Sequence, residues 1–205
     1  MDKIIYKTIK ENSKYEIDKI KGSRFIGTLI KVSSREQAEQ ELEIIRKKNY
    51  NATHNCFAYI VGTEGDQVSR FSDDGEMSGT AGKPMMLVME SREITNVLLI
   101  VTRYYGGTKL GTGGLVKAYT NSAKETLAHS NIIDVEIKDE VEFSYIYDNT
   151  SMVMNMISRY EADIVEEKYG DNANMRIKIN KGFKTNFIEE IFDKSSGKIK
   201  VTELN

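Results

Sequence analysis

The apolar positions of this chain follow two different periods, and each period predicts one kind of element. An almost unbroken apolar run at Ile94–Val101 predicts a strand that is buried on both faces. Directly after this run, apolar side chains recur at helical spacing, at Leu115, Tyr119, Ala123 and Leu127. We therefore predict a buried strand, a glycine-rich connection and an amphipathic helix.

Shorter patterns predict the other elements of the first 134 residues. Residues 1–21 read as a strand or an extended arm with dense charge, and residues 25–30 and 54–61 read as strands. Ser33 and Glu36 have the spacing of a capping box, which predicts a helix that ends near residue 49. Pro84 is the only proline and fits the first turn of a further helix.

Beyond a polar connector at 130–139 the predicted elements become short and alternate in type. Strands are predicted at 141–147, 164–165, 175–179 and 199–201. One helix, with Asn149 as its N-cap, lies between the first two strands, and a second helix lies between the last two. This β-α-β-β-α-β order is typical of a ferredoxin-like domain. We therefore predict an α+β protein with two domains, 1–134 and 135–205.

Composition and charge narrow the class of protein. The 205 residues include 29 Lys or Arg and 31 Asp or Glu, so the net charge is −2. Such a chain does not coat long nucleic acid by charge alone, although residues 1–134 are slightly basic, with 19 cations against 17 anions. One cysteine excludes an internal disulfide, and no apolar run is long enough to cross a bilayer. We expect a cytoplasmic protein that makes no contact with a membrane.

The glycine-rich connection at 103–114 is the strongest candidate for a binding site. Its glycines let the main chain approach a ligand, and the helix start offers unpaired N–H groups that attract anions. Thr112 is the predicted N-cap of this helix. The predicted anion-binding residues here are Arg103, Lys109, Gly111, Thr112, Gly113, Gly114 and Lys117. The alternative is a turn that needs glycine only for its shape, since the spacing matches neither G-x-G-x-x-G nor a Walker A loop.

A second loop, 73–84, contains three carboxylates. Asp73, Asp74 and Glu76 could hold a divalent ion if they converged, but adjacent Asp73 and Asp74 point apart on a regular backbone. Capping and Asx-turns are the favoured interpretation, and we predict no metal and no cofactor. Three further residues of this loop join the predicted anion site: Ser78, Thr80 and Lys83.

His54 and Cys56 come nearest to a catalytic pair. They share one face of a strand, yet residues i and i+2 start about 7 Å apart, which is too far for an easy direct hydrogen bond. Cys56 is interpreted as a small core residue and His129 as a cap at a helix end. Tyr104 and Tyr105 either pack or offer stacking faces to bases. Since the full set of catalytic roles is not met, we predict no catalytic residue.

Four separated strings closely resemble the signatures of the IMPACT/YigZ family. They are FSDDGEMSGTAGKP at 71–84, VTRYYGGTKLGTGGLVKAY at 101–119, ATHNC at 52–56 and KGSRF at 21–25. Their number and order make the resemblance specific, and it covers about residues 1–130. The ferredoxin-like tail fits the bacterial two-domain form of the family. The chain departs from the family at Met77, where proline is usual, and this departure loosens the loop before Ser78.

The resemblance implies an N-terminal domain like the second domain of a small-subunit ribosomal protein, and a C-terminal domain like the last domain of elongation factor G. Both of those proteins touch ribosomal RNA, which is an analogy of fold only. The first hypothesis is therefore a non-catalytic RNA- or ribosome-binding protein that regulates translation and binds phosphate through loop 103–114. The second is an enzyme for a small molecule or nucleotide phosphate that uses loops 73–84 and 103–114. A third is a protein-interaction module.

Overall fold

A computed structural model describes residues 2–63 and 65–204 of the chain. The chain divides into two compact units. The N-terminal unit is Tyr6–Val135, and the C-terminal unit is Glu136–Asn205 together with Met1–Ile5. Within the described residues, no helix combines the length and the apolar character needed to span a membrane.

Residues 1–5 group with the C-terminal unit, although the sequence pattern assigns them to the first domain. The main chain of Ile4 explains this difference. Its N–H donates to Asn180 Oδ1 at 2.9 Å, and its carbonyl accepts from Ile137 N at 3.0 Å. These bonds join positions far apart in the chain, so no local pattern reveals them.

The N-terminal unit is built on one antiparallel sheet. In chain order its elements are β1 (Ile5–Ile9), β2 (Ser13–Glu16), β3 (Arg24–Lys31), α1 (Arg35–Lys48), β4 (His54–Val61), β5 (Val68–Ser72), α2 (Gly82–Ser91), β6 (Val97–Tyr104), α3 (Gly111–Ala128) and β7 (Ile132–Glu136). Five strands form the sheet in the order β2-β3-β6-β4-β5, and β1 pairs with β7 separately. Strand β6 begins three residues after the start of the apolar run and ends at Tyr104. Arg103 therefore belongs to the strand and not to the loop that follows it.

Helices cover both faces of this sheet. Helix α1 packs on the face that contains Phe57 and Leu98, and helices α2 and α3 pack on the face that contains Cys56 and Leu99. Strand β6 is central in the sheet, and every residue of Val97–Arg103 is buried. This is the double coverage that its unbroken apolar run predicts.

The start of α1 lies one residue later than predicted. Ser34 Oγ accepts a hydrogen bond from Gln37 N at 3.1 Å, and Gln37 Oε1 accepts from Ser33 N at 2.7 Å. A reciprocal cap is therefore present, but Ser34 and Gln37 replace the predicted Ser33 and Glu36, because two adjacent serines offer the same local signal. Pro84 does lie in the first turn of α2, as predicted.

The C-terminal unit has the predicted order of elements. They are β8 (Lys138–Tyr145), a 3₁₀ turn (Tyr147–Asn149), α4 (Thr150–Arg159), β9 (Asp163–Tyr169), β10 (Ala173–Asn180), α5 (Lys181–Lys194) and β11 (Val201–Leu204). The four strands form an antiparallel sheet in the order β11-β8-β10-β9. Val153, Ile177 and Phe187 share its core. Asn149 precedes α4 but makes no side-chain capping bond, because the 3₁₀ turn ends there.

Candidate functional site

The four family-like strings come together at one end of the five-stranded sheet. Strand β4 begins there with His54, which is paired in register with Arg103 near the end of β6. The loop after β6 then packs against the segment before β3. A Cβ atom on Gly106 would lie only 1.9 Å from the carbonyl carbon of Gly22, so glycine is required at 106 for close packing of two backbones.

A cavity of about 380 Å³ opens at this end of the sheet. Its more buried lining combines the polar side chains of His54, Glu76 and Arg103 with the apolar side chains of Leu110 and Leu115. Its exposed lining includes Met77, Tyr105, Lys109 and Gly111. Loops 73–84 and 103–114 therefore meet around one hollow, whose volume is in the range of small-molecule sites.

A buried ion pair lines this cavity. Arg103 is only 5% exposed, and its Nη1 donates to Glu76 Oε2. The same carboxylate oxygen accepts from Tyr119 Oη at 3.1 Å. Arg103 Nη2 lies 3.4 Å from Ser23 Oγ, while Arg103 Nε has no hydrogen-bond partner among the described residues. Removing two charges from water is costly, so such a pair in a cavity marks a candidate functional site.

His54 is held in a defined orientation beside this pair. Its Nδ1 lies 2.9 Å from the carbonyl oxygen of Asp74, which can only accept, so Nδ1 bears the proton. In the neutral ring Nε2 is then a hydrogen-bond acceptor. Nε2 lies 3.7 Å from Glu76 Oε2, and both residues line the cavity. With a neutral ring, the hollow thus contains two acceptor groups close together, His54 Nε2 and the carboxylate of Glu76.

Cys56 is a core residue, as the sequence indicates. Its Sγ lies 3.0 Å from the carbonyl oxygen of Asp73 and 3.3 Å from Tyr119 Oη. Burial raises the pKa of the Cys56 thiol to about 12, and burial also raises the pKa of Tyr119. A thiol that stays protonated at neutral pH is a poor nucleophile.

Loop 73–84 is organised by the carboxylate of Asp73. Its Oδ2 accepts from Gly79 N at 2.8 Å, and its Oδ1 accepts from Ala81 N at 2.9 Å and Gly82 N at 2.8 Å. These main-chain groups include the start of α2, so the anion expected at a helix start is already supplied by the protein. The capping interpretation of Asp73 therefore agrees with the contacts that the structure shows.

The other predicted residues of loop 73–84 lie outside the cavity lining. Thr80 is buried and its hydroxyl donates to Met77 O at 2.6 Å, while Ser78 and Lys83 are exposed. Lys83 lies at a helix start where the carboxylate of Asp73 already binds the N–H groups of Ala81 and Gly82, so an external anion would compete with Asp73 there. Asp74 accepts from Arg46, and the described residues contain no cluster of His, Cys, Asp or Glu placed to hold a metal.

The start of α3 is different, because its N–H groups are open. Leu110 occupies the N-cap position and has no side-chain capping bond, so the prediction that Thr112 is the N-cap is wrong. Gly111 has a φ of +74°, which allows the chain to enter the helix directly from the loop. Within the described part of the chain, no group outside the helix accepts from the N–H groups of residues 111–113.

The predicted cations of loop 103–114 have three different environments. Arg103 is neutralised by Glu76, and Lys109 is exposed at the cavity. Lys117 and Gly114 line a separate open groove of about 700 Å³ on the exposed side of α3, together with Lys124. The structure therefore brings Arg103, Lys109 and Gly111 to one cavity and places Lys117 beside another.

Sequence reasoning missed three members of the buried cluster. Glu76 was predicted as a capping or metal residue, Tyr119 only as part of a helix stripe, and His54 as a doubtful catalytic partner. For His54 the sequence does contain a signal, because it is the first residue of a predicted strand. The structure pairs that residue with Arg103 of β6. The contact of Glu76 with Arg103 links positions 27 residues apart and leaves no local signal.

Together these features define a protein of two α+β units, with an open helix start beside a buried ion pair in its N-terminal unit. The family model "Impact N-terminal domain" matches residues 21–127, and "Domain of unknown function (DUF1949)" matches residues 146–198. The chain belongs to the IMPACT family.

Several relatives match most of the chain. The IMPACT family member YvyE of Bacillus subtilis is 35% identical over 97% of this chain and 90% of its own length. The member YigZ of Escherichia coli is 31% identical over 90% of this chain and 91% of its own. A crystal structure described only as that of a hypothetical protein has a TM-score of 0.68 and 27% identity, covering 100% of this chain and 99% of the other. Both units therefore recur together in relatives.

Proposed function

We propose that this protein is a non-catalytic RNA- or ribosome-binding protein that regulates translation, and that it binds phosphate through loop 103–114. The observation that supports this most directly is the open start of α3 beside Lys109. Unpaired N–H groups, the positive end of the helix dipole and a lysine together suit a phosphate group.

The distribution of charge around this end of the sheet supports the same function. Arg24 is paired with Glu16, and Arg46 is paired with Asp74. Several exposed lysines at this end form no ion pair among the described residues, including Lys21, Lys47, Lys48, Lys83 and Lys109. Helix α1 runs back from the end of β3 to the start of β4, and this places its last turn at the same end of the sheet as loop 103–114. An RNA backbone could therefore meet several unneutralised cations.

The proposal includes a likeness of fold. We propose that the N-terminal unit is like the second domain of a small-subunit ribosomal protein, and that the C-terminal unit is ferredoxin-like and similar to the last domain of elongation factor G. The β-α-β-β-α-β order of the C-terminal unit supports the second comparison. Since fold alone does not define function, this likeness adds support only beside the site itself.

Binding to a structured RNA across a series of salt concentrations tests this function. The logarithm of the affinity should fall linearly with the logarithm of the salt concentration, because phosphate contacts release counterions. Replacing Lys109 with Ala should weaken binding and reduce the slope by about 0.7 to 0.9 for the one contact removed.

Lys31→Ala is the matched control, because Lys31 is exposed at the opposite end of β3. It should leave both the affinity and the slope unchanged. Absence of RNA binding at low salt would contradict the proposal, and so would an equal effect of the two substitutions.

A second candidate is an enzyme or binder for a small phosphorylated molecule. The observation that favours it is that loops 73–84 and 103–114 meet, which places Glu76 and His54 in the same cavity as Lys109. A thermal-shift screen of nucleotides and phosphorylated metabolites, with and without magnesium, tests this function because a ligand of the native state raises its stability. Turnover of any compound that raises the melting temperature would favour the enzyme.

A further inference from the structure

The geometry points to a guanine site: we propose that the cavity between loops 73–84 and 103–114 receives one unpaired guanine nucleotide of an RNA chain. This inference rests on the proposed RNA-binding function and goes beyond it, because phosphate contacts alone carry no base preference. The base enters the cavity, and its phosphate remains outside at the start of α3.

The cavity has two independent features that indicate a ligand. The first is the open start of α3, an 18-residue helix whose residue Gly111 lines the cavity. The second is Arg103, which lines the same cavity, is 95% buried, and has an Nε–H group without a hydrogen-bond partner among the described residues. Buried polar groups are normally satisfied, so a donor left without a partner on a residue that lines a cavity points to a group that binds there.

The shape and the apolar lining of the cavity suit a flat base. Leu110, Leu115 and Met77 supply apolar surface, and Tyr105 adds an aromatic ring that is 47% exposed. Bases commonly stack on such a ring in proteins that bind single strands. A base in a duplex cannot enter, since its edge is paired and its faces are stacked.

The polar groups in the cavity select guanine by their hydrogen-bonding character. Glu76 Oε2 accepts from Arg103 and Tyr119, whereas Oε1 accepts no hydrogen bond from the described residues. His54 Nε2 is the second acceptor nearby. Guanine presents two neighbouring donors, N1–H and the 2-amino group, on its Watson–Crick edge. Adenine, cytosine and uracil each place an acceptor next to a donor there, so they leave one of these protein groups unmatched.

Fluorescence anisotropy with labelled single-stranded RNA tests the inference. The probes are a uridine 12-mer with one central guanosine, the same 12-mer with adenosine in that place, and the guanosine 12-mer annealed to its complement. We expect roughly tenfold tighter binding of the unpaired guanosine probe than of either other probe, the loss of one hydrogen-bonded base contact being worth about that factor. Guanosine monophosphate should compete better than the other three monophosphates.

Two variants separate recognition of the base from binding of the phosphate. Glu76→Gln replaces a carboxylate by an amide that also donates, so the preference for guanosine over adenosine should disappear while the adenosine probe, held by phosphate contacts, still binds. Tyr105 is exposed, so Tyr105→Ala is expected to fold and can test base stacking even if Glu76→Gln does not fold. It should weaken binding of all single strands roughly tenfold through lost stacking. Tyr169→Ala, at an exposed tyrosine of the C-terminal unit, is its matched control and should have no effect.

The outcomes distinguish this inference from the proposed function. Equal binding of the guanosine and adenosine probes overturns the guanine site and leaves RNA binding intact, as does a guanosine preference that survives Glu76→Gln. Binding of guanosine monophosphate without any binding of RNA supports the guanine site and overturns RNA as its source. Tight binding of the single-stranded guanosine probe, abolished by Glu76→Gln, supports both the guanine site and the proposed RNA binding.

Discussion

Two helix starts in the N-terminal unit look alike in sequence but differ in structure. Helix α2 begins at Gly82 and helix α3 begins at Gly111, each after a loop with further glycines, and both helices pack on the same face of the sheet. At α2 the N–H groups of Ala81 and Gly82 are bound by Asp73. At α3 no side chain caps the helix, and the first turn is exposed.

This difference separates a structural loop from a candidate binding loop. A helix start whose first N–H groups are bound by a carboxylate of the same chain is stabilised from within and offers fewer open main-chain donors to a ligand. An open start leaves donors and a positive dipole end for an external anion, at some cost in stability. Substitutions at each helix start, and in the ion pair that joins the two loops, test whether the two starts differ in this way.

The largest effect is expected at this joining ion pair. Arg103→Ala should lower the free energy of unfolding by about 3–5 kcal/mol, because it leaves the carboxylate of Glu76 buried without its cation. Urea denaturation followed by circular dichroism measures the change. A loss below about 1 kcal/mol would show that water reaches Glu76 freely, and that the pair is not the link between the two loops.

A smaller loss is expected when the occupied helix start is emptied. Asp73→Ala should lower the free energy of unfolding by about 2–3 kcal/mol, because three main-chain N–H groups lose a charged acceptor. The same urea experiment on Thr112→Ala is the control, since Thr112 caps nothing in α3. If both substitutions gave similar losses, the contrast between the two helix starts would be wrong.

The N-terminal fold could be predicted where its information is local. The unbroken apolar run identified the central strand β6, and the helical spacing after it identified α3. The two caps that were misplaced show the limit of such patterns. Ser33 and Ser34 give the same local signal, and Thr112 has the right chemistry but lies inside a helix that begins at Gly111.

The candidate site could be predicted only in part, for a physical reason. Gly111, Lys109 and Arg103 were identified because glycine and cations near a helix start are a local pattern. Whether the charge of Arg103 is neutralised depends on Glu76. Whether a helix start is open depends on a carboxylate such as Asp73, which lies nine residues before Gly82. These partners are fixed by how loops fold against the sheet, which spacing does not encode.

The thiol of Cys56 contacts the carbonyl oxygen of Asp73 and reports whether loop 73–84 excludes water. Burial raises the pKa of this thiol to about 12, against about 9 for an ordinary thiol. Between pH 9 and pH 12 the folded state therefore keeps a proton that the unfolded state has lost. Stability from this source is complete below pH 9 and falls by about 1.4 kcal/mol per pH unit between pH 9 and pH 12. Urea denaturation at pH 8, 9 and 10 should show this extra fall in the native protein and not in Cys56→Ala. Parallel curves for the two proteins would mean that the thiol is solvated.

The smallest expected change tests the open helix start itself. A Cβ atom on Gly113 would meet nothing within 4 Å, and its φ is not positive, so Gly113→Ala should raise the free energy of unfolding by up to about 1 kcal/mol through helix propensity. Gly111→Ala is the matched comparison. It should lower stability by about 1–2 kcal/mol because φ is +74°.

If the main chain at residue 113 meets phosphate, Gly113→Ala should also weaken RNA binding, since the added methyl group keeps the phosphate away from the N–H groups. Stability would then rise while affinity falls, which is the signature of a helix start left open for a ligand. A variant that is more stable and binds RNA with unchanged affinity would place the phosphate elsewhere. The glycine at 113 would then serve neither packing nor binding, and the difference between α2 and α3 would be one of stability alone.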